Sequence, residues 1–360
     1  MSRHVTQAVV LVGGEGRRLR PLTDTRPKPM MPLVDRPFVE HQLDHLRRFG
    51  VHDVVFSCGY RPDALEAHFG DGAGIGMRIG YVVDPEPLGT AGAVRNAEPL
   101  LHGGDVLVLN GDILTDLDLD ALLQAHAASG ATATIVLTPV DDPSAYGLVR
   151  LRVDRAVEEF LEKPTPDQLR PGEPFLIDAG TYLLGDAARA LIPEGVSCSI
   201  ERDIFPRLAE QGVLYGFPSD AYWRDIGTPA SYLDAHLDVL SGRVATAAPA
   251  GEVHVAPGTV VAPDAEVGDL ATVGADAQIG PGSVVVRSVV GTACRVGAGA
   301  QVRGAILGAG VVVGAGARIG PGVVVGDGAE MAPGAVLEGD VRVPTNGVVD
   351  AAGEGVAGAR

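Results

Sequence analysis

Residues 311–331 read VVVGAGARIGPGVVVGDGAEM, which sets Val313, Ile319, Val325 and Met331 six positions apart. Helical faces recur about every 3.6 residues and strand faces every two, so an apolar period of six suits neither as an ordinary element. It suits a β-helix, where each hexapeptide forms one short face of a triangular coil and turns one apolar residue inward. Working outward, the spacing holds at Val255, Val261, Val267, Val273, Ile279 and Val285. After a one-residue slip it resumes at Val290, Val296 and Val302, and beyond the quoted stretch it continues at Leu337 and Val343. Gly or Ala follows many of these positions. The slips near Val290 and Val313 predict irregular turns. We expect a left-handed parallel β-helix of hexapeptide repeats over 252–348, a linker at Ala245–Gly251 before it and a flexible tail at 349–360.

Upstream the chain is a different material. Short apolar runs at Ala8–Val12, Asp53–Ser57, Arg78–Val83, Val106–Leu109 and Thr132–Leu137 alternate with helix-like stretches such as Val39–Phe49 and Leu119–Ser129. The second of these stops on Gly130, as a helix C-terminus does. That alternation predicts an α/β domain over 1–244, a Rossmann-like, mostly parallel sheet flanked by helices.

Composition narrows the function. A net charge of −18 disfavours polyanions and lipid headgroups, so we expect a small-molecule substrate and neither nucleic acid nor membrane as partner. The apolar run Ala8–Val12 is too short for a signal-peptide core, and no run approaches a membrane span, which predicts a cytoplasmic protein. Cys58, Cys198 and Cys294 are odd in number and widely spaced, which fits reduced, buried thiols better than disulfides or a zinc site. Among 28 basic residues only Lys28 and Lys163 are lysines. In a chain that otherwise uses arginine, these two mark places where a compact ammonium is hard to replace by a planar guanidinium, although leftover surface lysines are the plainer alternative.

The strand at Ala8–Val12 runs straight into Gly13, Gly14 and Gly16, then Arg17, Arg18 and Arg20, then Pro27-Lys28-Pro29. Glycines after a strand let backbone N–H groups approach a phosphate, and clustered cations neutralise a triphosphate. A glycine loop alone is as often a simple turn, and this spacing is neither the dinucleotide fingerprint nor the Walker loop. The whole stretch, LVGGEGRRLRPLTDTRPKPMMP, resembles the signature loop of the sugar-1-phosphate nucleotidyltransferases. Further motifs of that family follow in order: EPLGTAGAV at Glu86–Val94, LNGD at Leu109–Asp112, YGLV at Tyr146–Val149, FLEKP at Phe160–Pro164, IDAGTYLL at Ile177–Leu184, SIERDIFP at Ser199–Pro206 and WRDIGTP at Trp223–Pro229. The Val12-Gly13-Gly14 opening, the EPLGTAG stretch and the hexapeptide tail are most similar to the mannose-1-phosphate guanylyltransferase (GDP-mannose pyrophosphorylase) branch.

The resemblance implies transfer of a nucleotidyl group from GTP to a sugar 1-phosphate, mannose 1-phosphate first, with Mg²⁺ as cofactor. It implies Asp112 and Asp225 as the metal-binding pair, although an Asp after a strand is by itself more often a helix cap. It also implies Arg18 and Lys28 on the triphosphate and Lys163 on the sugar phosphate. Val12, Gly13, Gly14, Gly16, Arg17, Gly89, Thr90 and Gly111 would line the nucleotide, with Gly89 and Thr90 near the base. Tyr146, Gly147, Glu162, Asp178, Gly180 and Thr181 would line the sugar phosphate.

Two positions depart from the family pattern. Arg17 stands where threonine is usual, and Asp178 replaces the asparagine of the usual Asn-Ala-Gly. Asp178 only accepts hydrogen bonds where an amide also donates, which opens a cyclitol 1-phosphate such as valienol 1-phosphate, or glucose 1-phosphate, as the acceptor. A non-catalytic relative that binds nucleotide sugars is a further alternative. Acyl transfer by the β-helix is disfavoured, since only His254 lies beside it and such sites need a histidine base. The other histidines read as surface or helix-face residues, and Trp223 as core. The stacked coils present flat faces and edges that predict a homo-oligomer.

Overall fold

The computed structural model describes residues 5–356 except 35, 60, 61, 85, 171 and 354, so the end of the tail expected at 349–360 lies outside the described residues. The chain divides into two compact units, one of Met1–Gly14 with Gln42–Trp223, the other of Glu15–His41 with Arg224–Arg360.

The first unit is an α/β layer built on one nine-stranded sheet. At its centre Val106–Asn110, Gln7–Leu11, Asp53–Cys58 and Arg78–Val83 pair in parallel. Ala8, Val9, Val10, Phe56 and Val106 to Val108 are buried, because a parallel strand covered on both faces must be apolar along its length. Beyond Asn110 the sheet becomes mixed. The strand Phe175–Leu184 runs antiparallel to Val106–Asn110 and to Ala133–Val140, while Leu214–Pro218 joins Ala133–Val140 in parallel. The hairpin Gly147–Leu151 and Val157–Glu162 completes that edge.

Helix ends follow their capping chemistry. Asp118 accepts the Ala121 N–H at 2.9 Å to start Leu119–Ser129, and Gly130 ends it in the left-handed region at φ 66°. Val9, Val55, Val94, Val108, Ile135, Tyr182 and Phe205 belong to one buried cluster that ties helices to sheet.

In the second unit the coils form three sheets of short strands, all paired in parallel apart from the antiparallel closing strand Gly355–Val356, as in a left-handed β-helix. The register gives the coil length directly. Val253 pairs with Ala271, Thr272 with Val289, Val289 with Ile306 and Ile306 with Val324, so the repeat shortens by one residue for two coils and then recovers. The slips fall at the corners between Val285 and Val290 and between Val302 and Leu307. There Arg287 and Gly304 take positive φ. Leu307, which the six-residue count passes over, is buried and continues the inward row. Each fully buried Val, Ile or Leu of that row contributes roughly 1.5–3 kcal/mol.

One face of the β-helix differs from the other two. His254, Thr272, Val289, Ile306, Val324 and Arg342 follow one another in register on the side opposite inward Val290, Leu307 and Val325. Ile306 is nevertheless only 3% exposed, whereas the outer Val260 on another face is 64% exposed. The covered face is where Glu15–His41 and the helix Pro229–Leu240 lie. Pro21 sits 3.0 Å from where a Cβ on Gly326 would be. His236 approaches the Thr272 hydroxyl at 3.2 Å. Its Nδ1 accepts the backbone N–H of Val34 at 3.3 Å, so Nε2 carries the proton and donates to the Pro32 carbonyl at 3.2 Å. That bond helps hold Val34, a β-branched residue at φ 60°.

Histidines were expected at the surface or on helix faces. His41, His45, His126 and His236 do lie on helices, but they face inward and are buried. The three cysteines are free and buried as expected, with burial pushing the Cys58 and Cys294 thiols up to about 12.

Candidate active site

In the first unit the carboxyl ends of adjacent parallel strands bring several motif residues to one edge. Leu11 pairs with Asn110, so Val12-Gly13-Gly14 and Gly111-Asp112 leave the sheet side by side. The Gly111 N–H donates to the Leu11 carbonyl at 2.9 Å, and a Cβ there would lie 2.6 Å from Val12 Cγ1. Only glycine fits, which is the local reason for the Gly in LNGD. Gly13 likewise faces Gly59, the residue after the neighbouring strand, where a Cβ on Gly59 would come within 2.9 Å of the Gly13 carbonyl. Sequence reasoning missed Gly59, which carries no motif of its own. Edges of this kind, outside the carboxyl ends of parallel strands, are where open α/β sheets bind ligands.

Gly89 opens the helix Gly89–Ala97 at φ 72°, packed so closely that a Cβ would lie 2.6 Å from the Cys198 carbonyl. Thr90 then ties that helix down. Its hydroxyl donates to Glu201 Oε2 at 2.7 Å and accepts the Ile200 N–H at 2.9 Å. Glu201, which the motif reading quoted without a role, also receives the Ser199 hydroxyl at 2.6 Å.

The residues expected at the sugar phosphate lie on or beside the hairpin and on Phe175–Leu184. Glu162 pairs with Gly147, and the Lys163 N–H donates to the Tyr146 carbonyl at 2.9 Å. Lys163 holds φ 52°, an unusual conformation for a side chain other than glycine, and its Nζ is 3.9 Å from Glu162 Oε1. A contact that long between exposed groups is worth little, so the ammonium is only loosely engaged. Trp223 is half-buried rather than core. Its indole N–H donates to the Ala179 carbonyl at 2.9 Å, and its ring meets Tyr146 edge-on with centroids 5.5 Å apart.

Asp178 is committed internally. Its Oδ1 accepts the Gly180 N–H at 2.8 Å and its Oδ2 accepts the Tyr182 hydroxyl at 2.9 Å. Removal from water, reinforced by the negative charges of Glu201 and Glu162, pushes its carboxyl up to about 7, against the pull of those two hydrogen bonds. Gly180 turns at φ 69° beside Asn110, whose Nδ2 lies 2.6 Å from where a Cβ would be. Thr181 is buried in the strand, paired with Leu109.

The second unit holds Gly16, Arg17, Arg18, Lys28 and Asp225. Gly16 turns at φ 65°, and its carbonyl accepts the Thr23 hydroxyl at 2.9 Å. Lys28, its side chain only 9% exposed, points Nζ at Asp225 Oδ1 at 3.6 Å, and Arg18 Nη2 stands 3.6 Å from Asp225 Oδ2. Asp225 Oδ1 also accepts the Gly227 N–H at 2.7 Å. A Cβ on Gly227 would lie 2.4 Å from Arg18 Nη2 and 2.8 Å from Asp225 Oδ1, so a side chain there would push this pair apart. Thr228 then accepts the Ser231 N–H at 3.2 Å and caps the helix Pro229–Leu240, which explains the Gly-Thr-Pro of the motif. Arg17 is exposed and paired with Glu15 at 2.7 Å.

The nucleotidyl transferase family profile matches residues 7–242, and a profile described as the GMPPB C-terminal domain matches residues 249–354. A mannose-1-phosphate guanylyltransferase of Mycobacterium tuberculosis is 38% identical over 298 residues, 81% of each chain. A probable mannose-1-phosphate guanylyltransferase of Oryza sativa is 35% identical over 291 residues, 78% of each chain. Among solved structures, HddC from Yersinia pseudotuberculosis in complex with GMP-PN superposes with a TM-score of 0.55 at 28% identity, covering 64% of this chain and 98% of that one.

Proposed function

Because this chain belongs to the nucleotidyl transferase family, we propose that it joins GTP to mannose 1-phosphate, releasing pyrophosphate and forming GDP-mannose. The observation that carries the reading is the convergence of Arg18 and Lys28 on the Asp225 carboxylate. Two cations on one carboxylate at the end of a phosphate loop make a place where triphosphate charge is neutralised.

In this reading a phosphate oxygen of mannose 1-phosphate attacks the α-phosphorus of GTP in line. The bond from that phosphorus to the bridging oxygen breaks, and the electron pair leaves with pyrophosphate. No protein nucleophile is required, so the residues act by orientation and charge. Arg18 and Lys28 hold the triphosphate. Lys163 meets the sugar phosphate, while Glu162, Tyr146 and the Gly147 backbone orient the sugar. Gly13, Gly14 and Gly111 allow close approach of the backbone to the nucleotide.

Mg²⁺ dependence is part of the proposal, with Asp112 and Asp225 as its protein donors. Among the described residues no group of three or more His, Cys, Asp or Glu forms a metal cage, which suits a hard cation that completes its shell with phosphate oxygens and water. The contacts of Asp225 to Arg18 and Lys28 are both longer than a hydrogen bond, so lone pairs of this carboxylate remain for a cation. When bound, Mg²⁺ supplies charge neutralisation on the phosphates. Self-association through the β-helix is also proposed, and a monomeric mass by light scattering would remove it. Among the described residues no helix is long and apolar enough to cross a membrane.

The test is pyrophosphate release with Mg²⁺ across GTP, dTTP, UTP, ATP and CTP against mannose 1-phosphate, glucose 1-phosphate and a cyclitol 1-phosphate. Turnover confined to GTP with mannose 1-phosphate is expected. Turnover with the cyclitol alone, or GDP-mannose binding with no turnover anywhere, overturns it.

A further inference from the structure

Among the described residues, two close polar contacts tie the β-helix to the phosphate-loop segment within the second unit, beside a longer one of 3.5 Å from the Thr345 hydroxyl to Asp24 Oδ2. At the first, Arg342 Nη1 donates to the backbone carbonyls of Arg18 at 2.9 Å and Arg20 at 2.6 Å. At the second, Asp327 Oδ2 accepts from Arg26 Nη2 at 2.7 Å and from the Thr25 hydroxyl at 2.6 Å. Asp327 Oδ1 meanwhile accepts the Ala309 N–H at 2.8 Å, which fixes this carboxylate to the neighbouring coil. The two anchors bracket the segment: one grips the main chain at Arg18 itself, and the other grips the residues just before Lys28.

Packing beneath the segment is open at one place. A cavity of about 490 Å³ separates Leu22, Met31 and Pro32 from Val290, Leu307 and Thr292 of the coils. Leu19, Leu22 and Met31 are buried on either side of this opening, so the directional contacts add to side-chain packing in fixing where the segment sits. Both Arg18 and Lys28 then act from a backbone that the coils hold, and a misplacement of about 1 Å in a phosphate-binding group costs up to about a hundredfold in rate.

We propose that Arg342 and Asp327 are positioning residues for nucleotidyl transfer, through which the β-helix sets Arg18 and Lys28 against Asp225 and the incoming triphosphate. The β-helix on this view is part of the nucleotide site as well as a scaffold. The inference rests on the nucleotidyl-transfer reading above for its kinetic consequence.

The experiment compares the full-length wild type with Arg342→Gln, Arg342→Lys and Asp327→Asn, measuring kcat, both KM values, GTP affinity by calorimetry and the thermal midpoint. Because Arg342 is exposed and water competes for its bonds, the expected change is moderate. Arg342→Gln and Asp327→Asn each lower kcat/KM for GTP about three- to tenfold, while KM for the sugar phosphate stays within about twofold and the thermal midpoint holds. Arg342→Lys recovers part of the loss, since one ammonium donates to a carbonyl without the guanidinium fork. Unchanged GTP parameters in an active wild-type background overturn the proposal, as does a parallel loss in both substrates together with a fall in melting temperature. If the wild type itself gives no turnover, the functional reading fails separately. Calorimetry then decides the positioning role: weaker GTP binding by Arg342→Gln supports it and equal binding sinks it.

Discussion

Lys28 is a buried ammonium 3.6 Å from the Asp225 carboxylate, which Arg18 shares. Removing one partner of a buried pair costs more than removing both, because the buried charge left behind loses part of its compensation and regains no water. Asp225→Asn therefore lowers kcat/KM by at least about a hundredfold and also destabilises the fold by about 1–3 kcal/mol. Adding Lys28→Met to that variant restores most of the stability and none of the activity. Urea unfolding alongside pyrophosphate release separates the two effects, and a double variant as unstable as the single one contradicts the account. Asp178 makes a second prediction at this scale. Its folded carboxyl lies near 7, well above the unfolded value, so its contribution to stability is complete below about pH 4 and is lost as pH rises through 7. Asp178→Asn keeps an acceptor for the Gly180 N–H and carries no charge, so it gains on the order of 1–3 kcal/mol over the wild type at pH 8 and nothing at pH 4. Urea midpoints at the two pH values give the comparison. Both Asp178 oxygens already accept a hydrogen bond from the chain itself.

At the scale of elements, the motif glycines are positions where one piece of backbone meets another. Gly89 begins a helix in the left-handed region with the Cys198 carbonyl 2.6 Å from any Cβ, so Gly89→Ala destabilises by about 2 kcal/mol or more. Gly14, with no atom within 4 Å of its Cβ position, accepts alanine at no cost to the thermal midpoint. Equal midpoints for these two variants would refute the steric argument. The sequence announced such elements unevenly. Continuous apolar runs marked Gln7–Leu11, Asp53–Cys58 and Val106–Asn110, and the Asp118 to Gly130 frame marked its helix, because burial on both faces and capping leave local signatures. The antiparallel partner Phe175–Leu184 was not legible, since its direction is set by a connection through the hairpin 147–162 rather than by its own composition. The six-residue period revealed the coils but passed over Leu307, because a one-residue change at a corner breaks a strict count while leaving the inward row intact.

At the scale of the whole molecule, the main surprise is the company kept by residues 15–41. Read along the chain they follow the first strand, but in space they join the coils, through partners such as Asp327 and Arg342 about three hundred positions away. Pairings at that separation leave no periodicity to find. The only trace is Val289, Ile306 and Val324, apolar residues on the outside of a coil that would be a solubility fault were they not covered. The same covering buries His236, and with it a pH dependence of the fold. Loss of hydration pushes His236 down to about 3 and His45 in the other unit down to about 4, so both stay neutral in the native protein while the unfolded chain binds protons near pH 6.5. Stability from these groups is present above that value and is lost as pH falls toward the folded values, at up to about 1.4 kcal/mol per pH unit for each histidine. Asp178 works in the opposite sense over the same range, so the net slope of the wild type understates the histidine share. His236→Gln retains an amide donor for the Pro32 carbonyl and an acceptor for the Val34 N–H while removing the titration. It is expected to flatten the fall in urea midpoint between pH 6.5 and pH 4.5 by about half of the combined histidine contribution. A slope unchanged by this substitution would mean that His236 is protonated in the folded chain, and that the Nε2–H tautomer bridging Pro32 and Val34 is not the native state.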